Sequence, residues 1–403
     1  MSFTLSREQL LADLYQAYYD ARRHKRNKPY QLRFEADLER NLNALCDELY
    51  NRTYKPYPST CFIITDPKKR EVFAAQFRDR IVHHLYYNYT HQIFERTFIA
   101  DTYSCIKGRG THYGIARITQ HIRQESQNWT KPCYAMNLDI RGYFMHIDRE
   151  RLLHIATQSL NTMRTHKVGL ADDVPIPSGV ILTPATTWNE IRDFSFILWL
   201  TEQITMLNPM DDCVIVGDES DWKGIDHAKC MRYAAPGVGL PIGNLTSQLY
   251  SNVYLNTLDQ FVKREIGCRH YGRYVDDSVM IDSSREWLLA QVPKIREFLY
   301  YQLGLQLHMG KLHVRNVMHG VEFLGTFIKP YRNYISTHSL RRMQQKIQEI
   351  DIHRPQHAAS SVNSYLGALR HTASYNQRKR IARTVCTTLS FNADLTACKP
   401  TAA

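Results

Sequence analysis

Residues 270–282 read HYGRYVDDSVMID. Val275, Val279 and Ile281 share one face of an alternating pattern, the two-residue period of a β-strand. The stretch predicts a β-hairpin, or a strand pair around a tight turn, that holds Asp276 and Asp277 between apolar strands. Carboxylates in such a setting lose hydration, a cost that a bound cation offsets. Two other Asp-Asp pairs serve as internal controls. Asp172-Asp173 in GLADDVPIP and Asp211-Asp212 in LNPMDDCV have proline and polar neighbours and read as solvated loops.

Upstream, residues 134–139, YAMNLD, alternate in the same way, with Tyr134, Met136 and Leu138 on one face and Asn137 and Asp139 on the other. An aspartate ending a strand is by itself an ordinary turn or cap residue. Asp139 gains weight from the run that follows it, Asp139-Ile-Arg-Gly-Tyr-Phe144. Hard divalent cations favour carboxylate oxygens. Transfer between phosphates by two such ions, roughly 3.5–4 Å apart, needs two or three aspartates converging from neighbouring strands. Asp139, Asp276 and Asp277 are the candidates.

Around these blocks the chain reads as mixed helix and strand. Residues 6–23 form an amphipathic helix opened by a Ser6–Gln9 capping box, with Leu10, Leu11, Leu14, Tyr15, Tyr18 and Tyr19 as its apolar stripe. It runs into a basic cluster at 22–28. Phe34, Leu38, Leu42, Leu45 and Leu49 mark a second helix. Residues 61–64 look like a strand and 76–98 like a helix. KGRGTHYG at 107–114 reads as a glycine-punctuated loop, in which Lys107 and Arg109 flank glycines that let backbone approach phosphate. Helices are predicted over 246–264 and 288–303, a strand over 321–328, and basic helices from about 338 onward. Residues 148–235 carry no clear pattern.

Lys and Arg total 51 against 39 Asp and Glu, a net charge of +12 that suits a polyanionic partner. Arg341, Arg342 and Lys346 stand near helical spacing and suit a nucleic-acid backbone. The nine cysteines form no C-x-x-C pair, so buried reduced thiols are expected. No apolar run approaches the ~20 residues of a membrane span, and the N-terminus lacks the features of a signal peptide. A cytoplasmic location is expected.

The blocks together resemble those of reverse transcriptases. Asp139-Ile-Arg-Gly-Tyr-Phe144 is similar to the first catalytic block of that family, and Tyr274-Val275-Asp276-Asp277 to the second. Residues 67–89 resemble the fingers block, with Arg70 where the nucleotide triphosphate is touched. Gly239-Leu-Pro-Ile-Gly-Asn-Leu-Thr-Ser-Gln248 resembles the block before the catalytic hairpin. Gly304-Leu-Gln-Leu-His-Met-Gly-Lys311 resembles the block ending in lysine, and Phe323-Leu324-Gly325 the primer grip. The six blocks recur in order over about residues 30–330. One departs from the general pattern, with Ile242-Gly243 and Ser247-Gln248 where retroviral and group II intron enzymes have Gln-Gly and Ser-Pro. Ile-Gly-Asn-Leu-Thr-Ser-Gln is similar to the reverse transcriptases of diversity-generating retroelements.

The resemblance implies an α+β right-hand polymerase fold with fingers, a palm of antiparallel sheet backed by helices, and a helical thumb. The divisions expected are a helical extension at 1–60, fingers at 61–135, palm at 136–330 with an insertion near 160–235, and thumb and tail at 331–403. About 60 residues beyond the thumb are too few for an additional nuclease or integrase domain. The activity implied is RNA-directed DNA synthesis that copies a template-repeat RNA into cDNA, with errors at template adenines. Two Mg²⁺ ions, or Mn²⁺ in their place, are implied at Asp139, Ile140, Asp276 and Asp277. Arg70, Phe144, Ile242, Gly243, Gln248 and Lys311 are implied on the substrate side, with Phe144 as the gate against a 2′-hydroxyl. Template RNA, cDNA, dNTPs and an oligomeric accessory variability protein are the implied partners. The alternatives are a retron, intron-like or phage-defence reverse transcriptase, or an inactive RNA-binding scaffold.

Overall fold

The computed structural model describes residues 2–23, 27–66, 68–169, 174–177, 180–350 and 354–401. Asp172-Asp173, Pro67 and residues 24–26 of the basic cluster lie outside these. The chain opens with helices α1 (Arg7–Arg22), α2 (Pro29–Glu35) and α3 (Leu38–Tyr50), then β1 (Ser59–Ile64), β2 (Arg70–Ala74) and α4 (Phe77–Glu95). Next come α5 (Thr111–Glu125), β3 (Tyr134–Leu138), α6 (Arg149–Met163), α7 (Phe194–Met206), β4 (Cys213–Ile215) and α8 (Leu245–Gln260). The hairpin β5 (His270–Tyr274) and β6 (Asp277–Asp282) is followed by α9 (Arg285–Leu303) and β7 (His313–Asn316). Strands β8 (Val321–Phe323), β9 (Thr326–Lys329) and β10 (Arg332–Ile335) lead to α10 (Thr337–Gln348), α11 (Pro355–Leu369) and α12 (Tyr375–Val385). The pair β11 (Leu389–Phe391) and β12 (Cys398–Pro400) comes last. The architecture is α+β.

Two compact units divide the chain in space, each drawn from three separate stretches. One comprises Met1–Cys105, Ile140–Glu265 and Pro293–His308, the other Ile106–Asp139, Ile266–Val292 and Met309–Ala403. This partition differs in kind from the chain-order division expected from sequence.

The first unit is helical around a small sheet of order β2-β1-β4, with β1 antiparallel to β2 and parallel to β4. Ser6 caps α1, its Oγ accepting from the Gln9 N–H at 3.2 Å, while the Gln9 amide donates forward to Asp13. α1 buries Leu10, Leu14, Ala17, Tyr18 and Ala21, whereas Tyr19 is exposed, so the stripe is narrower than sequence suggested. The expected second helix is two. Asp37, at φ −137°, breaks it, and Phe34 falls on α2 while Leu42, Leu45 and Leu49 are buried on α3.

The second unit holds a four-stranded antiparallel sheet of order β5-β6-β3-β7, with α5 packed against β5 and β6. A β8-β9-β10 meander follows. The expected strand at 321–328 is therefore a hairpin, because Leu324 and Gly325 both take positive φ, as a two-residue turn of this kind requires. The loop predicted at 107–114 closes at Gly110, and Thr111 to Gly114 form the first turn of α5. Helices α10–α12 share an apolar core that includes Met343, Ile347, Val362, Leu366 and Ile381.

Candidate active site

The hairpin that carries the paired aspartates is built by register. Tyr274 pairs with Asp277, leaving Val275 and Asp276 as a two-residue turn. Val275 sits at φ +53°, a region that a β-branched residue rarely enters. Arg273, wholly buried in the strand before it, donates from Nη1 to the Val275 carbonyl at 2.8 Å. A cation thus fixes the turn from beneath. Sequence reasoning missed Arg273; its one visible signal is an arginine at a strand position inside an apolar hairpin.

Strand β3 is central, paired with β6 on one side and β7 on the other. Leu138 stands opposite Ser278, so one further step in register sets Asp139 beside Asp277. Asn137 stands opposite His313, where β7 begins, and Lys311 ends the 3-10 turn Met309–Lys311 just before it. The side chains agree with that geometry, because Lys311 Nζ lies 2.8 Å from Asp139 Oδ2. The Asp139 side chain is 15% exposed and that of Lys311 55%. Three blocks far apart in sequence therefore meet at one end of one sheet. Among the described residues no three His, Cys, Asp or Glu side chains converge on a common metal position. Asp139 has an ammonium partner in Lys311.

The remaining second-unit candidates lie on other elements. Lys107 is exposed, and Arg109 stacks over Tyr113 with 5.9 Å from its guanidinium carbon to the ring centre. The space beside Gly108 and Gly110 is open, leaving that backbone approachable. On α10, Arg341 is exposed, Arg342 is half-buried, and Lys346 pairs with Glu349 at 3.0 Å. Asn137 Nδ2 donates to the Glu322 carbonyl at 3.0 Å, tying β3 to the strand of the expected primer grip.

The substrate-side candidates other than Lys311 belong to the first unit, along with Ile140. Gly142, in the left-handed conformation, begins a 3-10 turn at Tyr143–His146; a Cβ there would meet the Ala228 carbonyl at 2.3 Å. Tyr143 is buried and donates its hydroxyl to the Ser251 carbonyl at 2.7 Å. Phe144 packs, with Ile242, on an apolar cluster that includes Cys61, Phe73, Met145 and Trp222. Backbone bonds lace these blocks together: Leu240 N–H to the Phe144 carbonyl at 2.8 Å, and Phe73 N–H to the Ile242 carbonyl at 2.8 Å. Gly243 is confined by the same approach, since a Cβ there would meet the Phe73 carbonyl at 2.5 Å. Arg70 is exposed at the start of the strand that Phe73 occupies. Gln248 is exposed, its Oε1 3.6 Å from the Cys105 thiol. Ile140 is buried and bridges to Leu307.

Glu71, also missed from sequence, anchors the region that carried no clear pattern. Buried beside Arg70, it accepts from Trp222 Nε1 at 2.8 Å and from the Met231 N–H at 2.6 Å. Burial, with Glu71 nearby, pushes the Cys61 thiol up to about 12 and the Cys230 thiol to about 11, so both stay protonated. Among the described residues all nine cysteines are unpaired in disulfides; Cys46, Cys61, Cys133, Cys230 and Cys268 are buried, and Cys386 is exposed.

No family model matches the chain. Solved structures similar to it include telomerases. The telomerase of Candida albicans, solved with a fragment of telomeric RNA, superposes with a TM-score of 0.49 at 9% identity, over 83% of this chain and 56% of that one. Apo telomerase from Candida tropicalis gives 0.48 at 11% identity, over 82% and 57%. The chain thus spans little more than half the length of these telomerases. Protein YkfC of Escherichia coli is 23% identical over 328 residues, 72% of each chain. No helix among the described residues is long and apolar enough to cross a membrane.

Proposed function

We propose that this chain is a reverse transcriptase that copies RNA into DNA. One observation carries the reading: at one end of a single antiparallel sheet, register sets Asp139 beside Asp277 and the hairpin turn that holds Asp276, and Lys311 pairs with Asp139 at 2.8 Å.

The donor set is hard oxygen throughout, which suits Mg²⁺ or Mn²⁺. Asp139, Asp276 and Asp277, with the Ile140 carbonyl that the family resemblance implies, would hold the ions. Bound divalent cations supply charge neutralisation at the oxygens that exchange in phosphoryl transfer. The protein's own groups do the rest. Arg273 holds the turn that carries Asp276. Lys311 occupies Asp139 in the absence of an ion and balances its charge. Phe144 and Ile242, seated on a common apolar cluster, shape the nucleotide side without offering a hydrogen bond, and Arg70 extends a cation from the strand docked to them. Lys107, Arg109, Arg341, Arg342 and Lys346 supply charge for the template and product backbones.

Within this activity we favour the diversity-generating type, because Ile242 takes a position where a hydrogen-bonding glutamine is usual in the wider family. An accessory variability protein would then act with the enzyme. The test is primer extension by the purified chain on an RNA template with dNTPs and Mg²⁺, followed by sequencing of the product. cDNA with errors concentrated opposite adenines supports the full reading. Faithful cDNA supports the retron, intron-like or phage-defence alternative. RNA binding with no extension identifies an inactive scaffold.

A further inference from the structure

Strand β4 lies at the edge of its sheet, paired with β1 alone. Three large apolar residues follow one another along this edge: Val214 is 54% exposed, Ile215 49% and Val216 53%. Successive side chains of a strand point to opposite faces. Three exposed in a row therefore means that neither face is covered. Proteins commonly blunt such edges with lysine, proline or a bulge, because the open backbone groups invite another strand. This stretch has no lysine or proline. Instead Asp211 and Asp212 precede it, Asp218, Glu219 and Asp221 follow, and no Lys or Arg occurs from 208 to 222. All five carboxylates are on exposed residues, and one of them, Glu219, is paired with Arg232 at 3.1 Å. Two are fixed by a mutual cap, Asp221 Oδ2 accepting from the Asp218 N–H at 3.0 Å and Asp218 Oδ1 from the Ser220 N–H at 2.9 Å.

We propose that Val214, Ile215 and Val216, framed by these carboxylates, form a docking edge for a basic, extended segment of a partner protein, which adds to the β2-β1-β4 sheet as a further strand. The charge selects the partner. In a chain of net charge +12 the edge is a local inversion. It repels nucleic-acid phosphate and leaves the polyanion to surfaces elsewhere. Edge-to-edge pairing with a second copy would set five carboxylates against five, and like charges brought together across an interface are penalised. A basic strand meets both demands, with main-chain bonds along the edge and apolar side chains over Val214 and Ile215.

The test reads binding rather than DNA synthesis. A labelled peptide alternating valine and lysine is titrated against the full chain by fluorescence anisotropy, beside the same peptide N-methylated at alternate residues so that it cannot pair. The first should bind, more weakly at higher salt, and slow amide exchange over 213–216. Ile215→Lys should weaken it by roughly tenfold. The double change Asp211→Asn with Asp212→Asn should weaken it as well while leaving the strand's apolar residues in place, which keeps the test decisive if Ile215→Lys fails to fold. Equal binding of the N-methylated peptide overturns strand addition. Affinity unchanged in both variants overturns the site. Sedimentation that finds the parent chain self-associated, and the Ile215→Lys chain monomeric, overturns the choice of partner in favour of a second copy.

Discussion

Val275 shows what the hairpin demands of a single residue. Its side chain is carried at φ +53°, which costs on the order of 1–3 kcal/mol and persists because the buried guanidinium of Arg273 and the flanking ladder over-determine the turn. Val275→Gly should remove that strain. After about 0.5–1 kcal/mol is deducted for glycine's backbone entropy, stability should rise by up to about 2.5 kcal/mol, while extension slows as the turn loosens. A lowered melting temperature would mean that the turn is not strained. Asp276→Ala and Asp139→Asn should each abolish cDNA synthesis while circular dichroism and RNA binding stay as in the parent, since each change removes ligand charge worth several kcal/mol to the transition state. Residual extension above a few per cent in either variant would mean that the wrong ligand was chosen. The hairpin with Asp276 in its turn was legible because strand periodicity leaves a mark in sequence. Arg273 and Glu71 were not. Arg273 bonds a carbonyl, which any residue supplies, and Glu71 is met by partners 151 and 160 positions away.

At the level of elements, Ile242 holds β2 through its carbonyl while its side chain joins the cluster that seats Phe144. Replacing it by glutamine restores a donor worth about 0.5–1.5 kcal/mol of geometric discrimination. Ile242→Gln should therefore reduce errors opposite adenine several-fold on a fixed RNA template, read by sequencing the product. An unchanged spectrum with normal extension would leave Ile242 as packing alone. The packing of α4 against α8 has a pH signature. His83 is buried, bonded through Nδ1 to Thr246 Oγ1 at 2.9 Å, and burial, with His84 and Arg80 adding to it, depresses its pKa to about 4. Folding therefore favours the neutral ring. The stability this contributes is complete above the unfolded value of about 6.5 and is lost as pH falls from there towards 4, about 3 kcal/mol in all. Denaturant midpoints measured across that range should fall less steeply in His83→Gln than in the parent; parallel slopes would place the titration elsewhere. Helices and strands with clean periods were legible. The breaks at Asp37 and at Leu324-Gly325 were missed, because a single residue's backbone angle sets them without disturbing the hydrophobic period on either side.

For the molecule as a whole, the charge of +12 should make RNA binding depend on salt, log affinity falling linearly with log concentration as neutralised phosphates release counterions. Flat affinity from low to moderate salt would remove the basic residues from the interface. The two-unit partition was not legible, because periodicity reports on neighbours in sequence while the chain passes from one unit to the other five times. One passage falls directly after Asp139, so that this carboxylate and Phe144, five residues on, are built into different units. That threading bears on inheritance. A single crossover in the gene can graft a contiguous module on or off, but it cannot exchange either of these units whole, because each is encoded in three pieces separated by pieces of the other. Variation in such a lineage is therefore expected to accumulate by substitution and by insertions into exposed loops, with the two halves changing in concert rather than being shuffled.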